Sequence, residues 1–203
     1  MTTPKLIGLC GISGSGKTHI LEELQKEMPV GKVSVLSFDN YYKPAIEQVA
    51  DENGFLNFDL PEGVDDLKFI SDLRSLIAGE TLILKQYNFN TLGAPDKILT
   101  AKPADIIFVE GIFIFHFEEI RNLLNKKIYL EVPDPVTLER RLKRDNLERG
   151  LTEEEIHYQW QNHVLPGHIK YVQPYIPTAD LILHNSADIM DCVIALKEFC
   201  EKM

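Results

Sequence analysis

Apolar residues occur along this chain in two rhythms. Short runs rich in apolar residues fall at residues 6–10, 33–38, 105–109, 127–132 and 180–184, and the one at 106–109 is continuous. Runs of this length and continuity predict strands, and continuous ones predict strands buried on both faces of a parallel sheet. Between them the spacing is helical. One helix is predicted over 17–28, stopped by Pro29-Val30-Gly31. Asp65 begins another with apolar positions Leu67, Phe69, Ile70, Leu73, Leu76 and Ile77, and Gly79 closes it. A third covers 116–124. Asp134 and Pro135 read as cap and first-turn residue of a fourth, which Gly150 ends. Thr152 and Glu155 form a capping box for the next, and Pro166-Gly167 reads as a break in it. The last helix is expected over 187–203. Residues 80–89 read as a strand or hairpin arm, 91–95 as a turn, and 40–64 show no steady period. Strands alternating with helices predict an α/β fold: an open parallel sheet, helices on both faces, right-handed crossovers. Ligands of such sheets lie beyond the carboxyl ends of the strands.

Three features sit at those ends. The first strand runs into Gly11-Ile12-Ser13-Gly14-Ser15-Gly16-Lys17-Thr18, the spacing G-x-x-x-x-G-K-[ST] between strand and helix. Glycines let the backbone turn its N–H groups onto an anion, and the helix adds its positive end. Lys17 would reach the β- and γ-phosphates, and the Thr18 hydroxyl would hold Mg²⁺. Asp39 ends the second strand and suits a general base for an acceptor hydroxyl. Glu110 ends the run at 106–109 and suits the Mg²⁺ side. Arg140, Arg141, Arg144 and Arg149 form a dense basic cluster. Spacings of three and four bring Arg140, Arg141 and Arg144 to one helical face, where guanidiniums fit phosphates as a lid over ATP. Each of these positions also has a plainer reading, as a cap, a surface acid or a solvated charged face.

Composition narrows the classes. The chain has 203 residues, 44% of them hydrophobic, enough for one sizeable core. A net charge of −10 argues against nucleic acid as a partner. No run is long enough to span a membrane. Three scattered cysteines, Cys10, Cys192 and Cys200, read as free thiols of a reducing, cytoplasmic setting. The histidines show no metal spacing, and Tyr158 and Trp160 read as packing residues.

The stretches GISGSGKT, LSFDNYY, FLNFDLPEGVD, QYNF, IIFVEGIFIF, ERRLKRDNLERG and ADLILHN, in this order and spacing, resemble the uridine (uridine-cytidine) kinases within the phosphate-loop kinases. The resemblance covers about residues 5–190. It implies a three-layer phosphate-loop fold of one domain, with a substrate-binding insertion with a small hairpin at about 40–100 and a helical lid at about 134–170. It implies an ATP- and Mg²⁺-dependent kinase for a nucleoside, and the family's assemblies suggest a homo-oligomer. By resemblance, Asp39 with Lys17 and Arg144 carries the chemistry. Gly11, Ser13, Gly14, Ser15, Gly16, Lys17, Thr18, Arg144, Arg149, Asn185 and Ala187 would hold ATP. Tyr42, Phe58, Asp59, Tyr87, Phe89, Arg141 and Gln159 would hold the acceptor. Thr18 and Glu110, with Asp39 beside them, would form the metal side. Two positions depart from the family: Leu92 stands where a histidine reads the pyrimidine, and Leu151 where an arginine faces the substrate. They keep a second acceptor class in view, another nucleoside, a sugar or a pantothenate-like alcohol. A nucleotide-binding regulator or plain NTPase is the third reading.

Overall fold

Strands with apolar residues on both faces need two covered faces, and the chain supplies both. The computed structural model describes residues 3–89, 97–185 and 188–202. In chain order the elements are β1 (Lys5–Cys10), α1 (Lys17–Glu27), β2 (Val33–Ser37), α2 (Asp66–Ile77), β3 (Leu82–Lys85), β4 (Ile98–Ala101), β5 (Ile106–Glu110), α3 (Glu118–Leu123), β6 (Lys126–Glu131), α4 (Asp134–Arg149), α5 (Glu153–Gln159), α6 (Leu165–Tyr171), β7 (Leu181–His184) and α7 (Ile189–Glu201). Five strands form a sheet in the order β2-β5-β1-β6-β7, every pair parallel. Successive residues point to opposite faces. Ile7, Leu9, Ile106 and Phe108 therefore meet α1 and α7, in a core with Ile20, Leu24, Val193 and Leu196. Leu6, Cys10, Ile107 and Val109 face the other way, into a core with Phe38, Phe69, Leu73, Phe113 and Phe115. Each large side chain so buried contributes about 1.5–3 kcal/mol. Cys10 is wholly buried, which pushes its thiol up to about 12, an inert packing residue.

The elements follow the predicted order, with four differences. β2 stops at Ser37, and a 3₁₀ turn over Phe38–Tyr41 carries Asp39 just past the strand. β3 pairs antiparallel with β4, a four-residue strand whose apolar signal is too short to read alone. Asp134 lies inside the first turn of α4, and Pro133 occupies the cap position with no side-chain bond. Pro166-Gly167 does not end its helix. A π turn at Trp160–Val164 joins α5 to α6, and Pro166 falls in the first turn after it. The Asp65 cap, the Thr152–Glu155 capping box and the Gly150 terminus are as the sequence predicts.

Candidate active site

The strand order β2-β5-β1 brings the three marked strand ends together. Ser37 stands opposite Glu110 across β2 and β5, and Leu9 opposite Glu110 across β1 and β5. The glycine-rich loop, Asp39 and Glu110 thus share one edge of the sheet.

The loop is shaped by the backbone and held from outside. Gly16 precedes α1 with φ 96°, and a Cβ there would lie 2.8 Å from Asn185 Nδ2. Only glycine fits that conformation without strain. Asn185 Nδ2 donates to Ser15 O at 2.8 Å, and Arg140 donates to Ser15 O and to Asn185 O, each at 3.2 Å. Arg140 therefore buttresses the loop. Lys17 Nζ, buried, donates to Gly11 O at 2.9 Å and Ile12 O at 3.3 Å. A cleft of about 890 Å³ opens over the loop, lined by Ser13, Gly14, Gly16, Lys17, Thr18, Arg144 and Asn185 with Asp39. Gly11 and Ser15 lie in the loop beneath. Ala187 lies outside the described residues, as does Leu92.

Glu110 is fully buried and borders a neighbouring cavity that shares Thr18 and Asp39 with this cleft. Its Oε1 accepts a bond from Thr18 Oγ1 at 3.2 Å, and its Oε2 is buried with no partner. Burial, with Asp39's negative charge nearby, pushes its carboxyl up to about 7. A carboxyl raised in the folded state costs stability as pH rises from its unfolded value through about 7. Metal-free protein is therefore expected to lose on the order of 2 kcal/mol from Glu110 between pH 5 and pH 8. Glu110→Gln should remove that loss, giving a higher Tm than the parent at pH 8 and little difference at pH 4.5. Thermal melts in a chelator at the two pH values check this.

A second cavity lies beside the cleft, lined by Tyr42, Phe58, Asp59, Phe89, Arg141, Arg149, Gln159 and His163. Most residues expected at the acceptor meet here. Tyr42, Phe58 and Phe89 set ring edges against one another with centroids 5.2 to 5.7 Å apart. Tyr87 packs behind Phe89 at 4.8 Å, donates from its hydroxyl to Lys43 O, and lines a separate cavity between the β3–β4 hairpin and the sheet. Burial raises the Asp59 carboxyl, and the charge of Arg141 opposes that. Asp59 also packs on α6: a Cβ at Gly167 would lie 2.5 Å from Asp59 O. The cavity is small, about 50 Å³. Ser13, Asp39, Ile112 and Arg144 border both cavities.

The basic cluster is organised around an acid on the same helix, Asp145. Asp145 is fully buried. Its Oδ1 accepts from Arg144 Nε at 2.8 Å and lies 3.3 Å from Arg149 Nε, and its Oδ2 lies 3.1 Å from Arg141 Nη2. Burial alone would raise this carboxyl, but the three guanidiniums hold it below its ordinary range. The signal was present: Arg141, Asp145 and Arg149 are spaced four apart. Arg141 Nη1 also donates to Ser13 Oγ at 2.6 Å, and the Arg149 guanidinium lies 4.2 Å from the Phe89 ring centre. Arg144 Nη2 is buried without a partner.

The pattern of the Phosphoribulokinase / Uridine kinase family matches residues 6–190. A uridine kinase of Brevibacillus brevis is 32% identical over 183 residues, 90% of this chain and 86% of that protein. One of Clostridium perfringens is 32% identical over 206 residues, covering 100% and 99%. The solved structure of TT1252 from Thermus thermophilus shares the fold, with TM-score 0.56, 19% identity, and 100% and 99% of the two chains covered. On the loop, the strand-end acids and these relatives together, the chain belongs to the Phosphoribulokinase / Uridine kinase family.

Proposed function

We propose that this chain is a kinase that transfers the γ-phosphoryl group of ATP to the 5′-hydroxyl of uridine or cytidine. The observation that carries the reading is the shared wall. A large cleft over the phosphate loop and a smaller aromatic and acidic pocket meet at Asp39 and Arg144. A phosphoryl group on one side would face a hydroxyl on the other. The curated relatives quoted above are named uridine kinases.

In this reading Asp39 orients the acceptor hydroxyl and takes its proton. Lys17 leaves its two loop carbonyls for the phosphates, and the backbone N–H groups of Gly11 to Thr18 cradle them. Arg144, with an unpartnered buried Nη2 on the shared wall, stabilises charge on the transferring group. Asn185 lines the ATP cleft, whereas Arg149, expected on ATP, lines the acceptor pocket, where Asp145 and the Phe89 ring hold it. Asp59, Arg141 and Gln159 grip the sugar, and Tyr42, Phe58 and Phe89 take the base. Tyr87 supports Phe89 from behind. Residues 40–100 form the acceptor insertion and 134–170 the lid of a single domain.

The donors also fit magnesium. Thr18 Oγ1, Glu110 and Asp39 are hard oxygen ligands, and Glu110 Oε2 is buried without a partner. Bound there, the ion would neutralise charge on the phosphates. Such an ion keeps waters and phosphates as ligands, so one or two carboxylates suffice. The product would be a pyrimidine nucleoside monophosphate, a reaction of pyrimidine salvage, and the free buried cysteines fit a reducing, cytoplasmic setting. Among the described residues no helix is long and apolar enough to cross a membrane.

At about 50 Å³ the acceptor pocket is far below the roughly 300 Å³ at which small-molecule sites begin. Admission of a nucleoside must therefore separate its walls. Gly167→Ala tests that wall. Its methyl would press on the Asp59 backbone, a small-to-large strain of about 1–3 kcal/mol. The expected result is an acceptor KM raised about tenfold with ATP affinity unchanged, measured by titrating each substrate against the other at saturation.

The experiment for the reading itself is nucleoside-dependent ADP release with Mg·ATP, with the product identified as the 5′-monophosphate.

A further inference from the structure

The flap that carries Phe58 and Asp59 (residues 43–60) has little regular structure of its own. It contains a 3₁₀ turn at Ala45–Glu47 and one bridge, Ala50 to Leu56. Towards the sheet it is tied by Gln48, which donates to Lys43 O and Gly63 O, and by the Tyr42 hydroxyl, which donates to Phe58 O. Its far end is tied to a different body, the helical arm of α5, the π turn and α6.

Asp51 makes that tie. Its Oδ1 accepts the backbone N–H groups of Asn53 and Phe55, shaping the tight turn 51–55. Its Oδ2 lies 2.7 Å from His163 Nε2 and accepts from the Tyr158 hydroxyl at 2.9 Å. Asn53 Nδ2 donates to the same hydroxyl at 2.6 Å, and Phe55 stacks on Tyr158 with ring centres 4.7 Å apart. His163 is only 3% exposed and lines the acceptor pocket beside Asp59 and Gln159. Gln159 and His163 point there while Trp160 and Val164 pack on Ile12 at the phosphate loop. One arm therefore touches the phosphate loop on one face and the flap on the other.

We infer that Asp51, through His163 and Tyr158, is a positioning residue that couples the arm to the flap, so that closure over nucleotide carries Phe58 and Asp59 onto the acceptor. Asp51 touches neither reacting group. Its carboxylate gathers two acceptances from the arm on one oxygen and two from the flap on the other, which no neutral side chain of that size reproduces. Replacing Asp51 by Asn keeps one carbonyl oxygen for the two flap N–H groups but turns an amide NH2, a donor, toward His163 and Tyr158 in place of the accepting oxygen.

The coupling is read by hydrogen exchange of the flap amides at 53–59, with and without a non-hydrolysable ATP analogue and Mg²⁺. In the parent protein the analogue is expected to slow exchange in the arm and in the flap. In Asp51→Asn it should still slow the arm but leave the flap at its nucleotide-free rate. Flap protection equal to the parent's in that variant would overturn the proposal, as would a parent flap that does not respond to nucleotide. This arm of the test needs no acceptor, so it decides even if the pyrimidine reading fails.

The second arm rests on that reading. With uridine, Asp51→Asn should raise the acceptor KM about tenfold while kcat and the ATP KM stay within about twofold. Tyr158→Phe, which removes one of the two ties, should do less. His163→Phe, which fills the space without the bond, should add little on top of Asp51→Asn, since both break one contact. Additive losses, or an equal rise in the ATP KM, would mark a general structural role and contradict the coupling.

Discussion

Asp39→Asn is expected to lower kcat about 10²–10⁴-fold while ATP affinity stays within about twofold. The amide keeps the shape of the carboxylate, so the wall between the two cavities stands, but it cannot take the hydroxyl proton. The local fold asks little of the side chain: the turn around it is fixed by the bond from Asp39 N to Ser37 Oγ. The variant carries a second readout. Asp39's charge helps raise Glu110, so its removal lets that carboxyl fall toward its ordinary value. The stability of metal-free protein should then decline less between pH 5 and pH 8 than the parent's. Full turnover in Asp39→Asn would remove it from the chemistry. An unchanged pH slope would remove its electrostatic link to Glu110.

Asp145→Ala should be the most damaging single change to stability among the charged residues. It leaves Arg141, Arg144 and Arg149 around a buried site with no counter-charge. Removing one partner of a buried ion group costs about 3–5 kcal/mol. For a domain of this size that is a fall in Tm of roughly 6–20 °C. The control is Glu139→Ala on the same helix. Its pair with Lys143 is exposed, 64% and 73%, and is worth under about 1 kcal/mol. Asp145→Asn keeps the volume and should still lose most of the stability, because the charge is what is missing. A Tm within about 2 °C of the parent for Asp145→Ala would show that the guanidiniums find water or each other's space without cost.

What the sequence revealed follows from how local each signal is. The buried runs at 106–109 and 127–132, the Asp65 cap and the Thr152 capping box are written in consecutive residues, and they read directly. The phosphate loop is local too. That Asp39 and Glu110 stand side by side is not local: they are 71 positions apart, and only the parallel register of β2 on β5 joins them. Alternation of strand and helix foretold the sheet, but not its order. The Asp145 hub was legible in principle from its four-residue spacing, yet three basic neighbours make an acid look like simple neutralisation. The π turn was not legible. Pro166 reads as a break, whereas the i→i+5 turn ahead of it changes the ladder that the proline would otherwise interrupt. The tie from Asp51 to His163 spans 112 positions and has no sequence signature at all. β4 failed for a plainer reason, since four residues carry too little periodicity.

In this mechanism a hydroxyl held in the smaller pocket receives phosphate from ATP held in the larger one. This transfer is tested most directly by incubating the purified protein with Mg·ATP and a panel of uridine, cytidine, other nucleosides, sugars and pantothenate, and identifying the phosphorylated product by mass and ³¹P NMR. One 5′-monophosphate per ADP released is expected with uridine or cytidine, and little with the rest. Phosphate appearing only on a non-nucleoside alcohol, or ADP forming with no phosphorylated acceptor, would contradict the mechanism.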